Sequence, residues 1–289
     1  MTGDGLLVGT QIHPADGESR RRQHYAMERL RDVCRWPLLN LQFQDRRDLQ
    51  ELDGFETLAV LEDDSVGVTR RAGRRKPIVK EMFTRLAAVA VQRHLRYIVL
   101  TNSDIIFTAD AFDRVLAGDR SSFVFSRTDV DATNGHDLQP LIYGADVFAV
   151  EARWWLAHQS RFRDYVIGEN AWDNVYAAQF LCWSGGLLLN REPLVRHEAH
   201  AIVWTTSPFA EHNAYLAGLD RLYFTQWVRY VRRLESIRAT AHGFAALDEE
   251  LRLQDEAFWR WKPGMTDRVL QALRVVKLEM RRRSAAAPS

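Results

Sequence analysis

Leu6-Leu-Val8 is a short apolar run stopped by Gly9-Thr10 and Pro14, and from Glu18 to Val33 the residues Tyr25, Met27, Leu30 and Val33 recur at helical spacing. The pattern predicts a strand followed by a helix. Leu38-Leu-Asn-Leu-Gln-Phe43 predicts a second strand, Asp48 to Leu52 a short helical piece, and Thr57-Leu-Ala-Val-Leu61 a third strand. Pro77 then stands in the first turn of a helix whose buried stripe, Ile78, Met82, Leu86, Val89 and Leu95, runs to about Arg96, with the strand Tyr97-Ile-Val-Leu100 directly behind it. This alternation, continuing to about residue 116, predicts an α/β fold with a mostly parallel central sheet flanked by helices. Ligands then belong at the carboxyl ends of the strands, at residues 9–14, 44–46, 62–65 and 101–104.

Beyond residue 116 the rhythm changes. Ser122-Phe-Val-Phe125 and Asp146-Val-Phe-Ala-Val150 read as strands enclosing a polar stretch, Arg127 to Gln139, long enough to serve as a mobile lid. Tyr215 to Arg233 carries Leu219, Leu222, Tyr223, Trp227 and Tyr230 on one helical stripe, and Leu247 to Trp261 reads as a further helix. Thr266 to Arg283 places Val269, Leu270, Leu273, Val276 and Met280 on another stripe and holds six basic residues against Asp267 and Glu279. The expected organisation is a main domain over residues 1–205 and a C-terminal helical extension over 206–289. Its tail from Ser284 is expected to be disordered.

With 289 residues, 46% of them hydrophobic and 27% charged, the chain can bury a substantial core and is not disordered. Its 39 basic and 38 acidic residues leave a charge of +1, so no overall field favours nucleic acid, and a charged ligand must be recognised locally. Cys34 and Cys182 stand far apart, without the spacing of a zinc site or a disulfide framework. The acidic start Met1-Thr-Gly-Asp-Gly5 and an apolar run that stops at Gly9 do not read as a signal peptide, so the expectation is a cytoplasmic protein.

Asp104, in Thr101-Asn-Ser-Asp104, follows a buried strand and can reach the crevice at the sheet's edge, where one aspartate suffices to hold a metal diphosphate or simply to cap the next helix. His197-Glu-Ala-His200 has its histidines at i and i+3, not the i and i+4 of a zinc protease, so one imidazole is expected to point into a site. Ile167-Gly-Glu-Asn-Ala-Trp-Asp-Asn174 reads as a polar, aromatic loop entering a helix. Glu169 and Asp173 share a face if that helix starts early, and they suit either general-base chemistry or capping. Arg70, Arg71, Arg74, Arg75 and Lys76 form a basic cluster fit for a phosphate or for solvent. The fingerprints of phosphate loops, dinucleotide sites and nucleophile elbows are missing, which weighs against kinases, dehydrogenases and hydrolases.

Together these segments resemble GT-A glycosyltransferases of bacterial type. Thr101-Asn-Ser-Asp104 stands where that class carries its D-x-D motif, although only the last acid is kept. Pro77-Ile-Val-Lys-Glu-Met82, Tyr143-Gly-Ala-Asp-Val-Phe148, Ile167-Gly, Trp172-Asp-Asn174 and the His197/His200 pair strengthen the resemblance over about residues 6–205. It implies transfer of a sugar from a nucleotide-diphosphate sugar to a hydroxyl of a carbohydrate or glycoconjugate acceptor, with Mn²⁺ or Mg²⁺; direct displacement by that hydroxyl as a carboxylate takes its proton gives inversion, with retention as the alternative. Asp104, His197 and His200 are the implied metal ligands, Asp173 the base with Glu169 beside it, and Thr10, Asp45, Lys80 and Asn102 the implied donor-binding residues.

Two other readings stand beside it. One is a sugar-1-phosphate nucleotidyltransferase, disfavoured because Gly9-Thr-Gln-Ile-His-Pro14 has one glycine and no lysine; the other is a catalytically silent sugar- or nucleotide-binding protein. The stripe over 266–283 fits a helix packed on its own domain with a solvated basic face, or a peripheral contact with the inner face of an anionic membrane.

Overall fold

The computed structural model describes residues 3–131, 137–190, 193–200, 207–240 and 255–286. Its first half alternates strands and helices: β1 (Gly3–Thr10), α1 (Gly17–Val33), β2 (Leu38–Phe43), β3 (Glu56–Leu61), α2 (Ser65–Thr69), α3 (Val79–Gln92) and β4 (Leu95–Thr101). There follow β5 (Ile105–Phe107), α4 (Asp110–Ala117), β6 (Ser122–Val130), β7 (Asp137–Glu151), α5 (Ala152–His158), α6 (Trp172–Trp183), β8 (Leu187–Leu189) and β9 (Val195–Glu198). The helices α7 (Ala210–Leu219), α8 (Arg221–Thr240) and α9 (Met265–Ala286) complete the described elements, with a helical turn at 255–259.

Among the described residues the strands form one mixed sheet in the order β3-β2-β1-β4-β7-β6-β9-β5, with β8 also paired to β6. The first four strands are parallel; β7 then runs antiparallel to both β4 and β6. Both faces are covered, and the alternation of side chains along each strand sorts them between two cores. Leu7, Ile98, Leu100 and Phe148 join one core with α3, α5 and α6, whereas Leu6, Val8, Tyr97, Val99 and Val147 join the other with α1 and α4. A strand buried on both sides is apolar without interruption, which is why β1 and β4 are such plain runs in the sequence. Gly9 is needed at the end of β1 because a Cβ there would meet Leu86 Cδ2 at 2.3 Å.

The expected α/β architecture is present, and several local expectations are corrected. Residues 48–52 are irregular and not a helical piece, because buried Asn40 and Gln42 bind this backbone: Asn40 Nδ2 donates to Gln50 O (2.6 Å), and Gln42 Oε1 accepts from Gln50 N (3.2 Å). Pro77 lies before the helix, in an isolated bridge with Asp64, and α3 stops at Gln92 because His94 takes a left-handed φ of 60°. Leu95 thereby starts a strand. The expected single helix over Tyr215–Arg233 is two helices parted at Asp220, whose buried carboxylate accepts from Arg163 Nε (3.0 Å) and the Tyr165 hydroxyl (3.1 Å). Ser284 to Ala286 are helical and not a tail, since α9 continues through them; 287–289 lie outside the described residues, as do 247–254 of the helix expected up to Trp261.

The polar stretch Arg127–Gln139 is only partly described. Its ends belong to β6 and β7, with 132–136 outside the described residues. In its first residues the polar character has a structural origin, since Arg127 projects from β6 into a cleft at the edge of the sheet and Asp129 binds Arg127 and His197 beside it. The boundary expected at 205 also falls outside the described residues. Leu216, Leu219, Trp227 and Tyr230 of α7 and α8 share the core formed by α3, α5 and α6.

Phe83 stands at the centre of that core. Its ring centroid lies 4.7 Å from Trp155, 5.5 Å from Phe180, 6.0 Å from Tyr176 and 6.2 Å from Phe148. Phe83→Ala is expected to lower the unfolding free energy by about 3–5 kcal/mol, as a buried aromatic deletion does when its neighbours cannot collapse. Urea titration followed by tryptophan fluorescence measures this directly.

Candidate active site

A cleft of about 770 Å³ opens where the sheet ends meet the helices. Asn102 and Asp104 reach it from the turn after β4, Arg127 from β6, Asp146 from β7 and His197 from β9. Residues Gly168–Asn174 line it from the loop entering α6, and Trp227 and Val231 from α8. Asp104 lies between β4 and β5, and β5 pairs antiparallel with β9 so that Ile105 stands opposite His197. That pairing brings the two sequence-distant residues together.

His197 Nε2 is 3.4 Å from Asp104 Oδ2, His200 Nε2 is 3.6 Å from the same oxygen, and the two Nε2 atoms are 3.2 Å apart. Both imidazoles converge, although only one was expected to, because β9 ends at Glu198 and His200 lies beyond it, freed from strand alternation. One ligand atom from each of the three residues lies within 4.8 Å of the others. The set of two imidazole nitrogens and one carboxylate suits a divalent transition metal better than Mg²⁺, which prefers oxygen ligands and keeps its waters. His197 Nδ1 meets Asp129 Oδ1 at 3.1 Å, an outer contact that turns Nε2 toward the cleft.

Asp129 belongs to a chain of charges that crosses the cleft floor. Arg127 Nε donates to Asp129 Oδ1 (3.0 Å), Arg127 Nη1 to Asp146 Oδ2 (2.7 Å), and Asn102 Nδ2 to Asp146 Oδ1 (2.8 Å). Burial pushes the Asp129 carboxyl upward, but His197 and Arg127 outweigh it and hold the carboxyl below its ordinary range. Asp104 is likewise pushed up by burial and drawn down further by both histidines, while His197, disfavoured as a cation by burial, is raised to about 9 by Asp104 and Asp129.

Asp173 sits in the first turn of α6, and its pKa is raised to about 7, by burial first and by the charge of Asp146 next, against a 2.6 Å hydrogen bond from Asn174 Nδ2. The entry to α6 is tightly bent: Gly168 and Ala171 have φ of 67° and 69°, and only the glycine adopts such a φ freely. Buried Asn213 of α7 fixes the approach, accepting from Val166 N (3.0 Å) and donating to Val166 O (2.9 Å) and Asn170 O (3.2 Å). Glu169 precedes α6 and does not share a helical face with Asp173. Its Oε1 accepts from Lys76 Nζ (2.6 Å) and Ser207 Oγ (2.5 Å), while its buried Oε2 has no partner among the described residues.

The other expected ligand residues are spread more widely. The Thr10 hydroxyl donates to Thr101 O (2.9 Å) at the end of β1, and Asp45, after β2, pairs with Arg75 Nη1 at 2.9 and 3.0 Å. Lys80 pairs with Asp164 (3.1 Å) and lines a separate hollow with Arg163 and His212, so the structure does not bring it to the cleft of Asp104. The basic cluster is largely engaged: Arg75 also pairs with Asp64, Arg71 with Glu211 and Lys76 with Glu169. Sequence reasoning did not assign Arg127, Asp129 or Asp146 to the site. The available signal was the i, i+2 alternation of Arg127 and Asp129 within an otherwise strand-like segment.

No protein-family model matches the chain, and neither does any curated protein. Among solved structures it is similar to S. aureus TarS residues 1–349 in complex with UDP-GlcNAc, at 8% identity and a TM-score of 0.48 over 88% of this chain and 78% of that one. The same TarS fragment described without that ligand gives 9% and 0.46 over 88% and 80%. A glycosyltransferase involved in glycosylation of the major capsid of PBCV-1 gives 10% and 0.34 over 73% and 98%. These fits are loose, and the chemistry of the site rests on its own residues.

Arg127 is the cation shared by two carboxylates of the cleft floor. Arg127→Gln is expected to lower stability at neutral pH by roughly 3 kcal/mol, because Asp129 and Asp146 are left facing each other in a partly buried place. Asp129, held low in the fold, contributes stability above the ordinary carboxylate range and loses it as the pH falls through its folded value. The deficit of the variant is therefore expected to shrink on acidification, as thermal melts between pH 7 and pH 3 would record.

Proposed function

We propose that the chain is a glycosyltransferase that moves a sugar from a nucleotide-diphosphate sugar to an acceptor hydroxyl, with a divalent metal and with inversion. The observation that carries the reading is the meeting, in one cleft at the sheet's edge, of the Asp104–His197–His200 cluster with Asp173. Asp104, His197 and His200 would hold the metal, which supplies positive charge for a departing diphosphate. Mn²⁺ fits the donor set better than Mg²⁺. Asp173, with a pKa near 7, is suited to accept the proton of an attacking hydroxyl at neutral pH, and Glu169 lines the same cleft. Asn102 is occupied with Asp146 and positions that carboxylate; Thr10 and Asp45 stand at strand ends where a nucleoside would lie.

The nucleotidyltransferase reading requires free backbone N–H groups after the first strand to cradle phosphates. Here Ile12 N is bound to Asn40 Oδ1 (3.1 Å), Ile12 O to Gln42 Nε2 (2.8 Å) and His13 N to Gln23 Oε1 (3.2 Å). The loop is tied to protein groups.

Titration calorimetry with Mn²⁺ and each of UDP, GDP, CDP and dTDP tests the donor site. One diphosphate is expected to bind in the presence of metal and to weaken by at least 100-fold with chelator or in Asp104→Asn and His197→Ala. Binding of none of the four overturns the proposal, and binding without consumption of any matching sugar donor favours the silent binding protein.

Once a donor is found, kcat/KM is expected to rise about tenfold per pH unit below pH 7 and to level above it, since the raised Asp173 must lose its proton to act as base. Asp173→Asn should abolish turnover and leave diphosphate affinity within a few-fold. A pH profile unchanged in a still active Asp173→Asn variant would remove Asp173 from the base role.

A further inference from the structure

The C-terminal helix α9 presents an unusual face. One side is held to the protein: Val275 and Leu278 pack against the main core, Gln271 Nε2 donates to Leu219 O, and Tyr215 donates to Glu279. At 100° per residue, Gln271, Val275, Leu278 and Glu279 fall within one arc of about 100°. Met265, Val269, Leu273, Val276 and Met280 fall in another arc of about 80°, centred about 130° from the first. These five side chains are 84, 53, 62, 54 and 57% exposed, and Leu270 beside them is 61% exposed. Scattered exposed leucines are ordinary, but a continuous apolar ridge along more than four turns of one helix is not.

The charge around the ridge selects what covers it. Residues 265–283 carry six basic side chains against two acidic ones, in a chain whose total is only +1, and one of the two acids, Glu279, is turned toward Tyr215. Arg274 and Lys277 lie at one edge of the ridge and, with Arg221, Gly218 and Leu278, line a hollow of about 340 Å³ that no acidic side chain enters. Neither Arg274 nor Lys277 has an ion-pair partner among the described residues. An apolar ridge beside unpaired cations is complementary to a surface that is apolar beneath and anionic above. No helix of the described residues is long and apolar enough to cross a membrane, so α9 would lie along such a surface.

We propose that α9 docks the protein on an anionic lipid bilayer, the ridge of Val269, Leu273, Val276 and Met280 entering the acyl boundary while Arg274, Lys277 and Arg221 meet lipid phosphates. This surface is separate from the cleft, and the proposal stands whether or not the chain transfers sugar. The structure thus places the basic, apolar stripe of the sequence against solvent on its apolar side, where a helix packed solely for its own domain would bury it.

Flotation of the full chain with vesicles tests this. Vesicles of phosphatidylcholine with 30% phosphatidylglycerol, an assay composition of about one third anionic lipid, are expected to carry the protein, and pure phosphatidylcholine vesicles at least tenfold less. Val269→Gln/Leu273→Gln/Val276→Gln should lose flotation yet keep the wild-type melting temperature, because the replaced groups are more than half exposed. Arg274→Ala/Lys277→Ala should weaken binding several-fold and flatten its dependence on salt. No flotation at low salt overturns the proposal, as does flotation unaffected by either set of substitutions. A dimer in sedimentation velocity that the glutamine variant dissolves, without vesicle binding by the wild type, makes a second copy the occupant and overturns it too.

Discussion

Two of the cleft's aspartates, Asp129 and Asp146, are held by one guanidinium. Arg127 reaches Asp129 on its own strand and Asp146 on the neighbouring one, so that strand pairing and charge compensation depend on each other. Without it, carboxylates would face one another in a partly buried place, where repulsion is screened far less than in water. With it, Asp146 is free to take Asn102, and Asp129 to take His197, and each of these two side chains fixes the end of a different strand. The orientation of His197 toward Asp104 is therefore a consequence of Arg127 acting at one remove.

The sheet explains why such a group assembles where it does. Its first four strands are parallel and deliver their carboxyl ends to one edge, the usual place for a ligand in an open α/β sheet. The switch to antiparallel pairing at β7 and the short β5–β9 ladder then bring residues near 104, 146 and 197 to that same edge, although they are widely separated in sequence. The opposite wall is helical. Asn213 of α7 and the Lys76–Glu169 pair hold the bent loop before α6 so that Asp173 enters at the first turn.

Much of the fold is legible in the sequence, and the reasons for the remainder are physical. β1 and β4 are apolar on both sides and declare themselves as runs; α1 declares itself by its spacing. Asp104 and the two histidines could be singled out because carboxylates and imidazoles are few in such surroundings, but their convergence depended on β5 meeting β9, a pairing with no local signal. Arg127 and Asp129 looked like loop residues because strand residues beside a charged cleft are as polar as residues facing water. The end of α3 was misplaced because Leu95 continues the helical period by chance, while the left-handed turn at His94 is set by tertiary context. Lys80 has a helical position compatible with many neighbours, and only the structure shows that Asp164 is the one it meets.

The alternation along β6 also constrains how the chain can change over generations. Arg127 lines the cleft and Asp129 binds Arg127 and His197 beside it, whereas the buried residues between and beside them, Ser126, Thr128 and Val130, do not line it. Removing one residue ahead of Arg127 would carry both charges to the other face of the sheet, the face on which Val124 joins the core with α3, α5 and α6, and bring a serine and a threonine to the cleft. Removing two would restore the side. Length variation in this strand is thus filtered by parity, and descendants of this sequence should tolerate paired insertions and deletions there far better than single ones.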